Sequence, residues 1–421
     1  MLVQASSLSL LPPSLSSSTK PLSLLFEPNS QSLAVTLTNS SILLFASFSP
    51  SSPSPPLSIP QISTSACFVL LNPNPSPGSS RPLFVSASPS PSSSSTLLRA
   101  WIRRSKSDLF APASLSFKKR TGRRSNEVDL GLRHGIGVRV AGSVNVLVVH
   151  SVAESQIWVL GVRVVGGEGG ERVELEKCAV VECTRPIYEI RVSMGVLALG
   201  EVGGVRVFPL RPMVKGEQGL KKKRRDLSGA GEPQNRGKLR TLKLRQDSGN
   251  FSSFFVMTSA VAQDSECSTG LQASLKAIAI RILSQKKFLI LDSVGNIYLL
   301  SLRNVLALET ISSSSTISTA DQLNHLDVTM NVQLLAVLPD ISAKIQVFWL
   351  SDGAHTIHVM SMADVDHSVK EADENGNKEK EMKITAIRVI FTSEKVQDIV
   401  PLSANAIMVL GQGSIFSYSI A

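Results

Sequence analysis

Apolar residues in this chain fall in short runs rather than at helical spacing, and the runs come in pairs. A run, a polar turn of two to four residues and a second run recur seven times. The pairs span Ser32 to Phe48 around Asn39, Pro82 to Trp101 around Pro91, Val144 to Val162 around Glu154, and Gly195 to Leu210 around Gly203 and Gly204. Three more follow: Lys287 to Leu302 around Gly295 and Asn296, Gln333 to Leu350 around Asp340, and Val396 to Ile420 around Gly411 to Gly413. The runs are rich in Val, Ile, Leu and Phe and are bounded by Gly, Asn, Ser or Asp, as strands closed by tight turns are. Helical periodicity with caps is weak throughout, so any helix is expected to be short and peripheral.

In four copies a further apolar run precedes the hairpin: Leu22 to Phe26, Pro186 to Val192, Leu275 to Leu283, and Ile384 to Phe391. Sheets repeated about every 40 to 50 residues bury their faces against their neighbours and close into a ring. The pattern therefore predicts an all-β chain, residues 1–421 forming a single seven-bladed β-propeller of four-stranded antiparallel blades. Seven blades of roughly 42 residues leave about 120 residues for tails and insertions. Disordered basic insertions are expected at about 103–134 and 212–250, and an acidic loop at about 364–383. Between the fourth and fifth hairpins the spacing nearly doubles, which leaves open an eighth blade with Phe251 to Ala262 as one of its strands.

Charge sharpens the reading of the insertions. The chain carries 43 Lys and Arg against 33 Asp and Glu, a net +10. Arg99 to Arg124 and Lys215 to Arg245 each hold +8, so the rest of the chain is −6. An acidic ring with two basic excursions points to nucleic acid, acidic proteins or an import receptor as partners of the excursions. The run Lys221, Lys222, Lys223, Arg224, Arg225 has the form read by nuclear import receptors, and Lys118, Lys119, Arg120, Arg123, Arg124 is a looser second example. Between Lys215 and Arg245 there is no aromatic residue to stack on bases, so nucleic-acid contact there is expected to be non-specific.

Chemistry-bearing motifs are few. The four cysteines, Cys67, Cys178, Cys183 and Cys267, lack the spacing of a zinc site or disulfide framework. Gly166 to Gly170 fails the dinucleotide pattern, and Gly231 to Lys238 misses the phosphate loop by one residue and lacks its Ser or Thr. Glu371, Asp373 and Asn375 resemble the start of a calcium loop, but Met382 stands where the bidentate Glu belongs. His355 and His358 sit at odd spacing, on opposite faces of a strand. No cofactor, metal or catalytic residue is therefore expected. No run of 18 apolar residues free of charge or proline occurs, so no membrane span is expected. The first hundred residues are Ser- and Pro-rich with Glu27 as their one acid, the composition of an organelle transit peptide, yet Pro21 to Phe48 already reads as blade structure.

Leu83 to Trp101 and Phe288 to Leu302 resemble blades of the WD40-type propeller superfamily. The family's Gly-His and Trp-Asp dipeptides are missing: Trp101 is followed by Ile102 and Trp349 by Leu350. The resemblance implies a non-enzymatic platform that binds other proteins as a monomeric ring within a complex; the Lys221 to Arg225 run adds an expected location in the nucleus, with the cytoplasm as a further one. Alternatives from other classes are a propeller hydrolase or lyase with acids and His converging on the channel mouth, a non-specific nucleic-acid binder, and a plastid protein.

Overall fold

The computed structural model describes residues 3–12, 18–72, 80–104, 109–118, 125–166, 171–215, 241–249, 251–257, 275–302, 322–338, 345–364 and 382–420. Its strands form seven sheets, each with a four-stranded antiparallel core. The first strand, β1 (Val3–Leu8), is held in reserve for the last blade. Blade 1 is β2 (Pro21–Glu27), β3 (Ser32–Leu37), β4 (Ile42–Phe45) and β5 (Leu57–Ile59). Blade 2 is β6 (Ser65–Leu71), β7 (Arg81–Pro89), β8 (Ser95–Arg103) and, after the short β9 (Phe110–Pro112) and β10 (Ser114–Phe117), β11 (Glu127–Arg133). Blade 3 is β12 (Val138–Ser143), β13 (Val146–Ser151), β14 (Gln156–Val165) and β15 (Arg172–Glu182).

Blade 4 is β16 (Glu189–Ser193), β17 (Val196–Glu201), β18 (Gly204–Pro209) and, after a helical turn over 210–215 and β19 (Leu242–Arg245), β20 (Ser253–Val256). Blade 5 is β21 (Ala277–Ile282), β22 (Lys287–Asp292), β23 (Ile297–Ser301) and β24 (Gln322–Leu326). Blade 6 is β25 (Leu334–Val337), β26 (Ile345–Ser351), β27 (Thr356–Asp364) and β28 (Met382–Phe391). Blade 7 takes β29 (Asp398–Ser403), β30 (Ala406–Leu410) and β31 (Ile415–Ile420) from the C-terminal end and its outer strand, β1, from the N-terminal end.

Seven separate apolar cores hold the ring, one between each pair of adjacent blades. Leu44 meets Phe84 between blades 1 and 2, Leu83 meets Leu160 between 2 and 3, and Ile157 meets Phe208 between 3 and 4. Val207 and Phe288, Leu299 and Phe348, Trp349 and Ile407, and Met408 and Phe45 continue the circuit. Residues two apart on a strand share a face, so the middle strands, buried on both faces, read as unbroken apolar runs such as Val196 to Leu199 and Phe288 to Leu291. Strands of neighbouring blades approach so closely that a Cβ on Gly142 of β12 or Gly200 of β17 would strike the backbone of an adjacent blade, at Phe68 and Ala277 respectively.

Several expectations are corrected. There are seven blades, and the candidate strand of an eighth, near Phe251, is β20, the outer strand of blade 4. Ile384 to Phe391 is not the inner strand of the last blade but the outer strand of blade 6; the inner strand of blade 7 is β29. The sixth hairpin, centred on Asp340 by sequence, joins the first and second strands of its blade, and the second-to-third turn lies at Ser351 to Thr356, where Gly353 adopts φ +70°. His355 lies in that turn, off the strand that carries His358. Within the insertion at 103–134 lie β9, β10 and β11, and within that at 212–250 lies β19; residues 105–108, 119–124 and 216–240 lie outside the described residues.

Candidate interaction surfaces

Strand alternation fixes two faces of the ring. Second-to-third turns and blade-to-blade links lie on one, the link face; first-to-second and third-to-fourth connections lie on the other, the insertion face. Exposed large apolar side chains gather on the link face. Ile62 and Ile136 occupy blade links, Val152 and Val294 occupy second-to-third turns, and Val256 and Phe391 end outer strands there. Ile136 is 90% exposed and Phe391 77%. At connections of the insertion face the described residues offer only Leu109 and Val144.

Within the channel, charged residues interrupt otherwise apolar inner strands. Glu189 and Arg191 on β16 pair at 2.7 Å, and Arg281 on β21 lies 3.7 Å from the same carboxylate oxygen. Asp398, first residue of β29, accepts the Leu24 backbone N–H of blade 1 at 3.2 Å, linking blade 7 to blade 1. Burial pushes the Asp398 carboxyl above its usual range, against the two backbone N–H groups it accepts and the nearby Arg281 and Arg191. Arg281 is 26% exposed, and burial together with Arg191 brings its guanidinium down to about 10, opposed by Glu189 and Asp398. Among the described residues, acids reach this cluster from blades 4 and 7, and each lies near an arginine. Sequence reasoning missed these residues, although a charge at an inner position of a strand such as Ala277 to Ile282 was a visible signal.

Elsewhere the reactive groups are held inert. Burial raises the thiols of Cys67, Cys178 and Cys183, the last to about 12 with a contribution from Glu201, so none is a thiolate at neutral pH. His150 is brought down to about 4 by burial and by Arg139, its partner across the β12–β13 ladder. Among the described residues no three His, Cys, Asp or Glu side chains are grouped to hold a metal ion. Cys267, Gly231 to Lys238 and Glu371 to Gly376 lie outside the described residues.

In two blades a carboxylate satisfies the backbone of its own tight turn. Asp292, fully buried, accepts the backbone N–H groups of Val294, Gly295 and Asn296 at 2.8 to 2.9 Å and the Tyr298 hydroxyl at 3.1 Å. Glu27 does the same for Asn29 and Ser30 in blade 1. A carboxylate that takes several N–H bonds caps a turn by itself. No dipeptide need therefore recur from blade to blade.

Both basic segments belong to third-to-fourth connections, those of blades 2 and 4, and both connections add a strand to the outer edge of blade 3. Strand β10 runs parallel to Arg172 to Leu175 of β15, and β19 runs parallel to Ala179 to Glu182 of the same strand. Of the basic clusters, Lys118 is described: its backbone N–H reaches Leu175 O at 2.9 Å and its ammonium reaches Glu176 at 2.8 Å. Lys119, Arg120, Arg123, Arg124 and the run Lys221 to Arg225 lie outside the described residues.

No protein-family model matches the chain, and no curated protein matches it. Solved structures do. The chain is similar to the β-propeller domain of Cps50 (Swd1) of Myceliophteria thermophila, at 11% identity over 96% of this chain and 98% of that one, TM-score 0.46. It is similar to the WD40 repeats of RRP9, at 11% identity over all of both chains, TM-score 0.46. A streptogramin B lyase is as similar, at 9% identity over 100% of this chain and 98% of that one, TM-score 0.48. Likeness at this level speaks of fold and not of partners or activity. By its own blade order and ring closure, the chain is a seven-bladed β-propeller of four-stranded antiparallel blades.

Proposed function

We propose that this ring is a non-enzymatic scaffold that assembles other proteins on its link face and enters the nucleus through its basic segments. The observation that carries the reading is the set of exposed apolar side chains on the link face, Ile62, Ile136, Val152, Val256, Val294 and Phe391. Apolar side chains exposed on one face of a rigid ring favour protein contact, since burying each Val, Ile or Phe contributes about 1.5–3 kcal/mol. Among the described residues the channel acids Glu189 and Asp398 each lie near an arginine, an arrangement that favours structural ion pairing. Lys221 to Arg225 is proposed as the segment an import receptor reads, with Lys118 to Arg124 as a second basic contact.

Testing this requires substitution rather than deletion. Removing residues 215–245 would take away β19, whose Leu242 and Leu244 are buried in the core between blades 3 and 4. Changing Lys221 to Arg225 to serine leaves that core intact. The expected result is loss of nuclear accumulation with co-purifying proteins retained. Retained nuclear signal contradicts the import assignment, and loss of every partner from this variant makes the basic segment, not the ring, the binding element.

A further inference from the structure

The second-to-third turn of blade 2 is a run of hydroxyls set between two exposed isoleucines of the link face. Its residues from Ser90 onward read Ser-Pro-Ser-Ser-Ser-Ser, and Pro91 to Ser94 are exposed. Ser90 closes the hairpin: its backbone N–H reaches Ser95 O at 2.9 Å, and its hydroxyl lies 3.4 Å from that of Ser92. Pro91 fixes its own φ, brings no N–H and favours an extended Ser90. An extended serine followed by proline is the form that proline-directed protein kinases accept, because proline has no N–H to be satisfied in the next subsite. Ser88 also precedes a proline, but it is 4% exposed and accepts an Arg99 N–H at 2.9 Å, so the fold closes it to a kinase.

Neighbouring contacts fix where a group on Ser90 lies. Phe84 and Trp101 face the core toward blade 1, whereas Val85 and Ala87 face the core toward blade 3. By strand alternation Ser90 shares the side of Phe84, toward blade 1. The link that carries Ile62 runs along that side: Ser63 N–H reaches Ser40 O of blade 1 at 3.1 Å, and Thr64 N–H reaches Ala87 O of blade 2 at 2.9 Å. At the other end of the turn Ser94 O accepts the N–H of His134 at 2.8 Å, two residues before Ile136. His134 Nε2 meets the Thr64 hydroxyl at 3.0 Å. Ile62, the serine turn and Ile136 are thus tied into one stretch of the link face.

We propose that Ser90 is a phosphorylation site for a proline-directed protein kinase and that its phosphate releases partners from the link face, a regulation that rests on the scaffold reading. Ser90 Oγ attacks the γ-phosphorus of ATP; its new O–P bond replaces the bond to ADP, which leaves, and the hydroxyl proton passes through the kinase to solvent. The product carries a charge of about −1.5 to −2 at neutral pH. Ser95 and Arg133 stand in the same row across the blade, and Asp129 accepts the Ser95 hydroxyl at 2.7 Å. One arginine offsets part of the new charge, and the aspartate adds to it. A partner that buries Ile62 must then desolvate a phosphate, which costs more than one isoleucine contributes. Three further Ser-Pro pairs, at Ser49, Ser52 and Ser54, lie in the β4–β5 connection on the insertion face, where a phosphate leaves the link face unaltered.

The test treats the full chain with ATP and a cyclin-dependent kinase, maps the phosphate by mass spectrometry, and measures the Kd of one co-purifying protein before and after. Phosphate is expected on Ser90 and to be lost from that residue in P91A. Binding is expected to weaken about tenfold or more and to recover on phosphatase treatment. S90A is expected to bind as the parent chain does and to keep that affinity after kinase treatment, even with phosphate on Ser49, Ser52 and Ser54. No phosphate on Ser90, or unchanged affinity of the chain that carries it, overturns the proposal. A loss of affinity that S90A shares overturns it in favour of another serine, and a lowered melting midpoint of the phosphorylated chain overturns it in favour of unfolding. I62D separates this switch from the reading beneath it: weakened binding in I62D without a response to phosphate sinks the switch alone, whereas no effect of either sinks both.

Discussion

Thr241 donates its side-chain hydroxyl to the backbone carbonyl of Lys177 at 3.2 Å, one residue along β15 from Glu176, where Lys118 is anchored. Two insertions more than a hundred residues apart in sequence thus reach neighbouring points of one outer strand, and blade 3 is clamped between strands from blades 2 and 4. Leu242 and Leu244 alternate with Lys243 and Arg245, so the apolar pair is buried and the charged pair is exposed. Replacing both leucines with aspartate is expected to cost about 3 kcal/mol or more, visible as a lower urea midpoint. Serine at Lys221 to Arg225 is expected to leave the midpoint unchanged.

Ring closure depends on the chain's first strand. All six residues of β1 pair with β31, and Leu8 and Leu10 belong to the core between blades 7 and 1. Removing residues 1–12 is expected to destabilise the ring by roughly 3–6 kcal/mol, from two buried leucines and an opened strand edge. Thermal unfolding of the truncated chain checks this. It bears on a transit role as well, since cleavage beyond Leu10 would take away the strand that closes blade 7.

His150 makes stability depend on pH. Its folded pKa, about 4, lies below the ordinary 6.5, so below pH 6.5 the unfolded chain binds a proton that the folded chain does not. This contribution is present above pH 6.5 and is lost as pH falls toward 4. Phenylalanine at 150 is expected to flatten that part of the stability profile by an amount on the order of 3 kcal/mol. Denaturant titrations from pH 7 to pH 4 read the slope directly.

Glu201 and Arg206 pair at 2.6 Å across blade 4, with side chains 0% and 8% exposed, and the guanidinium packs over Phe254. Alanine at Glu201 leaves a buried cation without its partner, an expected loss of about 3–5 kcal/mol. Methionine at both positions is expected to recover most of it, since the cost lies in the orphaned charge rather than in the missing bond. A double-mutant cycle by chemical denaturation separates the two.

Much of this architecture was legible in the alternation of apolar and polar positions. Middle strands such as Lys287 to Asp292 and Ile297 to Ser301 declare themselves because both faces are buried. Outer strands were hidden: β5 has three residues, and the four residues Gln4 to Ser7 of β1 are all exposed and show no apolar alternation. The converse error fell on β28, which reads as an inner strand because Ile387, Val389 and Phe391 are apolar although exposed. The channel cluster was obscure for another reason. Glu189, Arg191, Arg281 and Asp398 come from three blades and meet only when the ring closes.

The central claim is that partners bind the link face. Its most direct measurement is the Kd of one co-purifying protein for the full chain and for aspartate variants at the ring's two faces. Aspartate at Ile62 or Ile136 is expected to weaken binding about tenfold or more, and aspartate at Leu109 or Val144 to leave it unchanged. Unchanged affinity in the first pair with weakened affinity in the second would contradict the account and move the binding surface to the insertion face.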